Sequence, residues 1–201
     1  MNYSVRKKNK TVKYIVIHYT GMKNLGLAYK KLSDRNSNVS SHYLISQKGI
    51  IFNLLCPKYK AWHAGKSKWK SDININNYSI GVELENKGHD FGYSNFSIKQ
   101  YRSLKKLIFF LKKNFRILEK NIVFHSDIAP NRKKDPGEKF PWENLSKYKI
   151  GIWHDINKDI LKKLRNKKVS KIEYKKFFKY LSKIGYYLKE KKYTNQKMLI
   201  E

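Results

Sequence analysis

The chain has 201 residues and carries 45 lysines and arginines against 15 aspartates and glutamates, a net charge of +30. Hydrophobic residues make up 40% and aromatics 14%, which excludes a disordered chain and suffices for the core of one ordinary domain with room for a small appendage. Cys56 is the only cysteine, which excludes an internal disulfide, and no apolar run approaches the roughly 18 residues of a membrane span.

Near the N-terminus, Arg6, Lys7, Lys8, Lys10 and Lys13 precede the short apolar run Tyr14-Ile15-Val16-Ile17. A signal peptide needs an apolar core of roughly 7–15 residues, so the expected compartment is the cytoplasm. The run itself is β-branched and aromatic and reads as a buried central strand that delivers His18 at its C-terminal end. Leu25, Ala28, Tyr29 and Leu32 have helical spacing. Ser41–Ser46 and Ile50–Leu55 then flank Gln47-Lys48-Gly49, a hairpin with glycine in the turn. Ala61-Trp62-His63-Ala64-Gly65 is a small-residue loop with an indole and an imidazole. From Ser79 to Asn86 the pattern alternates, with Ile80, Val82 and Leu84 on one face and Glu83 and Glu85 on the other. Ile98, Tyr101, Leu104, Ile108, Leu111 and Phe115 form the stripe of an amphipathic helix.

The apolar run Asn121–Phe124 ends in His125, followed by a loop punctuated by Pro130, Pro136 and Gly137 and carrying Asp127, Arg132, Lys133, Lys134 and Asp135. After Trp142 the chain turns lysine-rich, with helical stretches over Ile156–Leu164 and Ile172–Tyr187 and the start of another over Thr194–Glu201. This divides the chain into a main α/β domain over residues 1–149, a mixed sheet flanked by helices with the site at one edge of the sheet, and a helical extension over residues 150–201.

Two strand-end histidines and a loop carboxylate are a donor set for catalytic zinc, which takes three protein ligands and keeps a fourth position for water. His18, His125 and Asp135 would be the three, with Asp127 as an alternative carboxylate. Zinc lowers the pKa of bound water to about 7, Glu83 (or Glu85 on the same face) could take its proton, and a neighbouring lysine could stabilise an oxyanion. A strand-end histidine by itself is as readily a hydrogen-bonded structural residue.

Five segments in order, Tyr14–His18, Ser41–Ile45 with Gly49, Ala61–Gly65, Ser79–Glu85 and His125–Gly137, resemble the type 2 family of zinc-dependent N-acetylmuramoyl-L-alanine amidases. That family includes AmpD-type muropeptide amidases, phage amidase lysozymes and peptidoglycan recognition proteins. The resemblance implies one zinc ion on His18, His125 and Asp135, Glu83 as general base, and Lys133, two positions before the carboxylate ligand, as the oxyanion's partner. It further implies hydrolysis of the amide between the lactyl group of N-acetylmuramic acid and L-alanine, with peptidoglycan fragments, muropeptides or anhydro-muropeptides, as partners. His63 is expected to line the substrate cleft or to support the site from behind. Trp62 (stacking on a sugar face, or buried as a structural indole), His42 (in a strand, where it would support the site) and Arg132 are the other candidate substrate contacts, and His89 and His154 read as surface residues. The residues past Ile156 loosely resemble the start of a small peptidoglycan-binding module, or form a lysine-rich tail packed on the main domain.

Two other classes fit parts of the chain. One is a recognition module that binds muropeptide without cleaving it, although every position for a zinc ligand or catalytic group holds a competent residue. The other is a polyanion or nucleic-acid binder drawn by the charge. No nucleic-acid motif is present, compositional bias accounts for the charge equally well, and no nucleic-acid partner is expected.

Overall fold

The computed structural model describes residues 2–165 and 167–187, and the helix start expected over Thr194–Glu201 lies outside them. In chain order the elements are β1 (Tyr3–Val5), β2 (Tyr14–Tyr19), α1 (Leu25–Ser33), β3 (Tyr43–Ile45), β4 (Ile51–Asn53), β5 (Tyr59–Ala61), β6 (Lys68–Trp69), β7 (Asp72–Ile73), β8 (Ser79–Leu84), α2 (Gly88–Phe91), α3 (Ile98–Phe115), β9 (Ile122–Phe124), α4 (His125–Ile128), α5 (Trp142–Ser146), α6 (Lys158–Arg165) and α7 (Lys171–Ile184).

The central sheet has five strands in the order β4-β3-β8-β2-β9. β3, β8, β2 and β9 run parallel, and β4 is antiparallel to β3. β3 and β4 form the expected hairpin. Gly49 turns it at φ +83°, where a Cβ would stand 2.8 Å from the Lys99 carbonyl oxygen, so both the backbone conformation and the packing of α3 require glycine there. Two short antiparallel pairs, β1 with β5 and β6 with β7, complete the strands.

Side chains of a strand alternate between faces, and this alternation sorts the molecule into layers. Ile15 and Ile17 of β2, with Ile80, Val82 and Leu84 of β8, pack in one cluster with Leu104, Leu107, Ile108 and Leu111 of α3. Each fully buried side chain of this kind contributes about 1.5–3 kcal/mol, an upper figure because unfolded chains are partly compact. Tyr14 and Val16 face the other way and pack with Val123, Ile128, Trp69 and Ile75. By the same period His18 falls on the second face, and so do Ser79, Gly81 and Glu83. With both faces covered, all of β8 is buried, as strands of parallel sheets are.

α3 begins where Ser97 caps it, its hydroxyl accepting from the Gln100 amide at 3.0 Å, a contact worth about 1 kcal/mol. The expected stripe holds from Tyr101 onward. Ile98, in the first turn, is 71% exposed, because it sits ahead of the surface that α3 lays on the sheet. Leu145 and Ile150, on either side of residue 149, are both fully buried in the main core.

The two helices of the extension form as expected but bury no residue of their own. The segment after α7 returns to the main domain. Lys70 donates its amide to the Gly185 carbonyl at 2.8 Å, and Tyr186 packs edge-on against Trp69 while its hydroxyl donates to Asp127. Among the described residues no helix is long and apolar enough to cross a membrane.

Candidate metal centre and cleft

The parallel strands β2, β8 and β9 end at one side of the sheet, and the candidate residues gather at those carboxyl ends, not along a lateral edge. Ligand crevices of open α/β sheets lie in this position because all the strand-to-helix loops emerge there. His18 is the fifth residue of β2 and pairs across to Glu83 of β8. His125 follows directly on β9 and opens α4. The loop from Ala129 to Gly137 then folds back, the Ser126 amide donating to the Asp135 carbonyl at 3.0 Å, and this brings the Asp135 side chain over both rings.

The result is a triangle. His18 Nδ1 and His125 Nδ1 are 2.9 Å apart, and each lies 3.0 Å from Asp135 Oδ2. All three residues are buried. His125 Nε2 lies 3.2 Å from the Ala64 carbonyl, which can only accept, so Nε2 carries the ring hydrogen and Nδ1 presents a lone pair. That lone pair faces a carboxylate oxygen with no hydrogen between them, an arrangement that repels unless a cation sits against both. Burial first, and then repulsion from His125, lower the His18 pKa to about 4 against the pull of Asp135, so its ring is neutral near pH 7 and free to ligate. Burial pushes the Asp135 carboxyl up, but its close contacts with the His125 and His18 imidazoles outweigh it and hold the group below the usual carboxylate range. Two imidazole nitrogens and a carboxylate oxygen thus converge on one point and could hold a metal ion.

Glu83 stands beside this triangle, 8% exposed, and its Oε2 has no hydrogen-bond partner among the described residues. Burial, then the Asp135 charge, push its pKa well above the ordinary value, with Lys133 pulling back. An unpartnered buried carboxyl costs stability, and with a raised pKa beside a cleft it is a candidate for moving a proton. Glu85, the alternative, lies past the end of β8, and its carboxylate accepts from the Gln47 amide at 2.7 Å.

The site opens into a cleft of about 480 Å³. Its walls include His63, Arg132, Lys133 and Lys134, so of the residues expected to contact substrate His63 and Arg132 border the cleft. Lys133 is half-buried and Lys134 exposed. Two others are elsewhere. His42 is fully buried behind β8: its Nδ1 accepts from the Gly81 amide at 3.0 Å and its Nε2 donates to the Tyr59 carbonyl at 3.1 Å, so it has nothing to offer a substrate. Trp62 donates its indole N–H to Ser4 Oγ at 2.9 Å and does not line the cleft. Asp127 is turned away from the triangle and accepts from the Phe124 amide and Tyr186.

His89 is exposed, as expected, and also forms part of the cleft wall. It stacks on Tyr93 with centroids 4.4 Å apart, and its ring nitrogens lie 2.8 Å from the Tyr19 hydroxyl and 3.1 Å from Glu138. Only the fold brings α2 opposite the His125 loop, so no local pattern marks it. His154 lies on the surface beside Trp153.

Residues 8–138 match the family model described as N-acetylmuramoyl-L-alanine amidase, which is more than half of the chain. The chain belongs to this amidase family. Over 159 residues it is 36% identical to N-acetylmuramoyl-L-alanine amidase AmiD of Escherichia coli (strain K12), covering 73% of this chain and 56% of that one. Over 106 residues it is 39% identical to 1,6-anhydro-N-acetylmuramyl-L-alanine amidase AmpD of Haemophilus influenzae, covering 52% of this chain and 55% of that one. The chain thus spans about half the length of the curated relatives it matches. Among solved structures, the E. coli amidase AmiD in complex with its substrate anhydro-N-acetylmuramic acid-L-Ala-D-gamma-Glu-L-Lys superposes with a TM-score of 0.77 at 31% identity, covering 92% of this chain and 76% of that one. The family's mixed α/β architecture is the one described above, and all the candidate ligands and Glu83 fall inside the matched span.

Proposed function

We propose that this protein is a zinc-dependent N-acetylmuramoyl-L-alanine amidase that hydrolyses the amide between the lactyl group of N-acetylmuramic acid and L-alanine in muropeptides. The observation that carries the reading is the buried triangle of His18, His125 and Asp135 with an unpartnered glutamate beside it. The family match and the substrate named for the E. coli relative support the choice of bond. Zinc fits two imidazoles and a carboxylate, and when bound it polarises the carbonyl and makes water acidic enough to attack at neutral pH.

The protein's own groups supply the remainder. Glu83, whose raised pKa suits it to hold a proton and release it, takes the proton of the attacking water and returns it to the departing amine of L-alanine. Lys133, in the cleft wall, places its ammonium against the charge that grows on the amide oxygen. Arg132, partly engaged with the Ala64 and Lys66 carbonyls, and Lys134 give this wall a positive field for the carboxylates of a stem peptide.

The test is product analysis on two substrates, soluble anhydro-muropeptide and intact sacculi. The expected product is a free peptide with a new amino terminus on L-alanine, abolished by a chelator and restored by zinc. A cytoplasmic recycling enzyme prefers the soluble substrate by a large factor. Binding without any product identifies the recognition module instead.

A further inference from the structure

Behind the candidate zinc ligands lies a chain of hydrogen bonds whose direction is fixed at its far end. Ser79, fully buried in β8, has its Oγ 2.7 Å from the Ile75 carbonyl oxygen. A carbonyl only accepts, and two oxygens stand this close only with a hydrogen between them, so the hydroxyl donates to Ile75. Ser79 Oγ can therefore only accept from its other neighbour, His63 Nε2, at 3.1 Å. That places the His63 ring hydrogen on Nε2 and leaves Nδ1 as an acceptor. His63 Nδ1 lies 2.9 Å from His18 Nε2, which must then carry the hydrogen of its own ring. The last consequence falls on His18 Nδ1, which has no hydrogen and points its lone pair at His125 Nδ1 and Asp135 Oδ2.

The chain is built into the fold. His63 can sit under β8 only because residue 81 is glycine, since a Cβ there would lie 2.5 Å from its Cγ. Tyr14 pairs with Ser79, Val16 with Gly81 and His18 with Glu83, so the parts at the two ends stand on paired, rigid strands. His63 is 5% exposed, its ring edge-on to His18 with centroids 5.0 Å apart.

We infer that Ser79 and His63 are positioning residues that set the tautomer of His18, holding its Nδ1 as a metal ligand before any ion arrives. This deepens the zinc reading and rests on it. Partners of this kind to a ligand imidazole commonly contribute 10- to 100-fold in metal affinity. Without the hydroxyl, His63 gains freedom to carry its hydrogen on Nδ1. That hydrogen would face His18 Nε2 and drive the His18 hydrogen to Nδ1, where it blocks the ion.

The experiment compares wild type and Ser79→Ala by zinc competition against a chromogenic chelator, with imidazole nitrogen NMR of the zinc-free proteins and thermal melts as a fold control. Zinc affinity should fall about 10- to 100-fold, and the His63 signals should move from the Nε2–H form towards the Nδ1–H form. A residue that merely fills space would shift the melt and leave the tautomer alone. If Ser79→Ala does not fold, Ser79→Cys carries the same expectation, because a thiol is a weak acceptor of similar size. Affinity within twofold of wild type with His63 still protonated at Nε2 overturns the inference and leaves zinc catalysis standing. A wild-type protein that binds no zinc overturns the reading beneath it.

Discussion

The main domain and the C-terminal extension are made from the same lysine-rich composition, yet they hold their polar and apolar groups in opposite ways. In the main domain four imidazoles, a glutamate and an aspartate are buried, while Ile15, Ile17, Leu104 and Ile108 on the opposite face of the sheet are almost wholly enclosed. In the extension Ile160, Leu164, Ile172, Tyr180 and Ile184 are all at least half exposed. The contrast shows that amphipathic patterning forms helices in both regions, but only a sheet covered on both faces creates a place dry enough to hold neutral histidines and a raised glutamate. Chemistry needs that second condition, and only residues up to about Ile150 meet it.

The contrast is broken most completely at the triangle. Asp135→Ala should abolish tight zinc binding and lower amide cleavage at least a thousandfold, leaving two facing imidazoles, as read by zinc titration and product formation. A chelator should reproduce the loss in the wild type without altering the helical content of the extension, which circular dichroism would follow.

Glu83→Gln comes next. The amide keeps the shape but cannot move a proton, so turnover should fall about 10²–10⁴-fold with zinc retained. It also tests burial directly. The Glu83 pKa is raised in the folded protein, so the folded state holds this proton to higher pH than the unfolded chain does. The corresponding stability is complete below the ordinary glutamate range and is lost as pH rises through the raised folded value. Urea midpoints of the zinc-free protein should therefore decline over that window, and Glu83→Gln should remove the decline. An unchanged slope in the variant would show that Glu83 is not the group responsible.

Gly81→Ala sharpens the picture at the sheet itself. The new methyl meets the His63 ring, so a destabilisation of about 1–3 kcal/mol is expected in denaturant melts, together with weaker zinc binding. Smaller still is Tyr186→Phe, which removes one donor from the buried Asp127 and should cost about 1–2 kcal/mol while loosening the contact between extension and main domain, visible as faster amide exchange at Lys70. The smallest effect belongs to the extension. Ile172→Ser, at a position 70% exposed, should change stability by less than about 0.5 kcal/mol. A large loss there would mean that the extension has a packed partner.

The sequence by itself determined the local parts. The period of two in β8 put Glu83 on the face where it is found, the apolar run of β2 put His18 at a strand end, the three- and four-residue spacing of α3 marked its buried stripe from Tyr101 on, and the glycine of the β3–β4 turn was legible as a turn. The ordered family motifs also pointed to His18, His125 and Asp135, which the fold brings into contact although the first two are 107 positions apart. What only the tertiary structure decided is which neighbours those groups acquire. His42 sits in a motif as conspicuous as that of His63 and Trp62 in the same one, yet the packing of β1, β5 and β8 turns them to protein partners and leaves His63 against His18. His89 and Ser79 carried no local signal, because the cleft wall and the hydrogen-bond chain they belong to exist only once loops and strands from distant parts of the chain have closed on one another. Periodicity reports which face a side chain takes. It does not report what stands on the other side of that face, and protonation, burial and ligand geometry are set there.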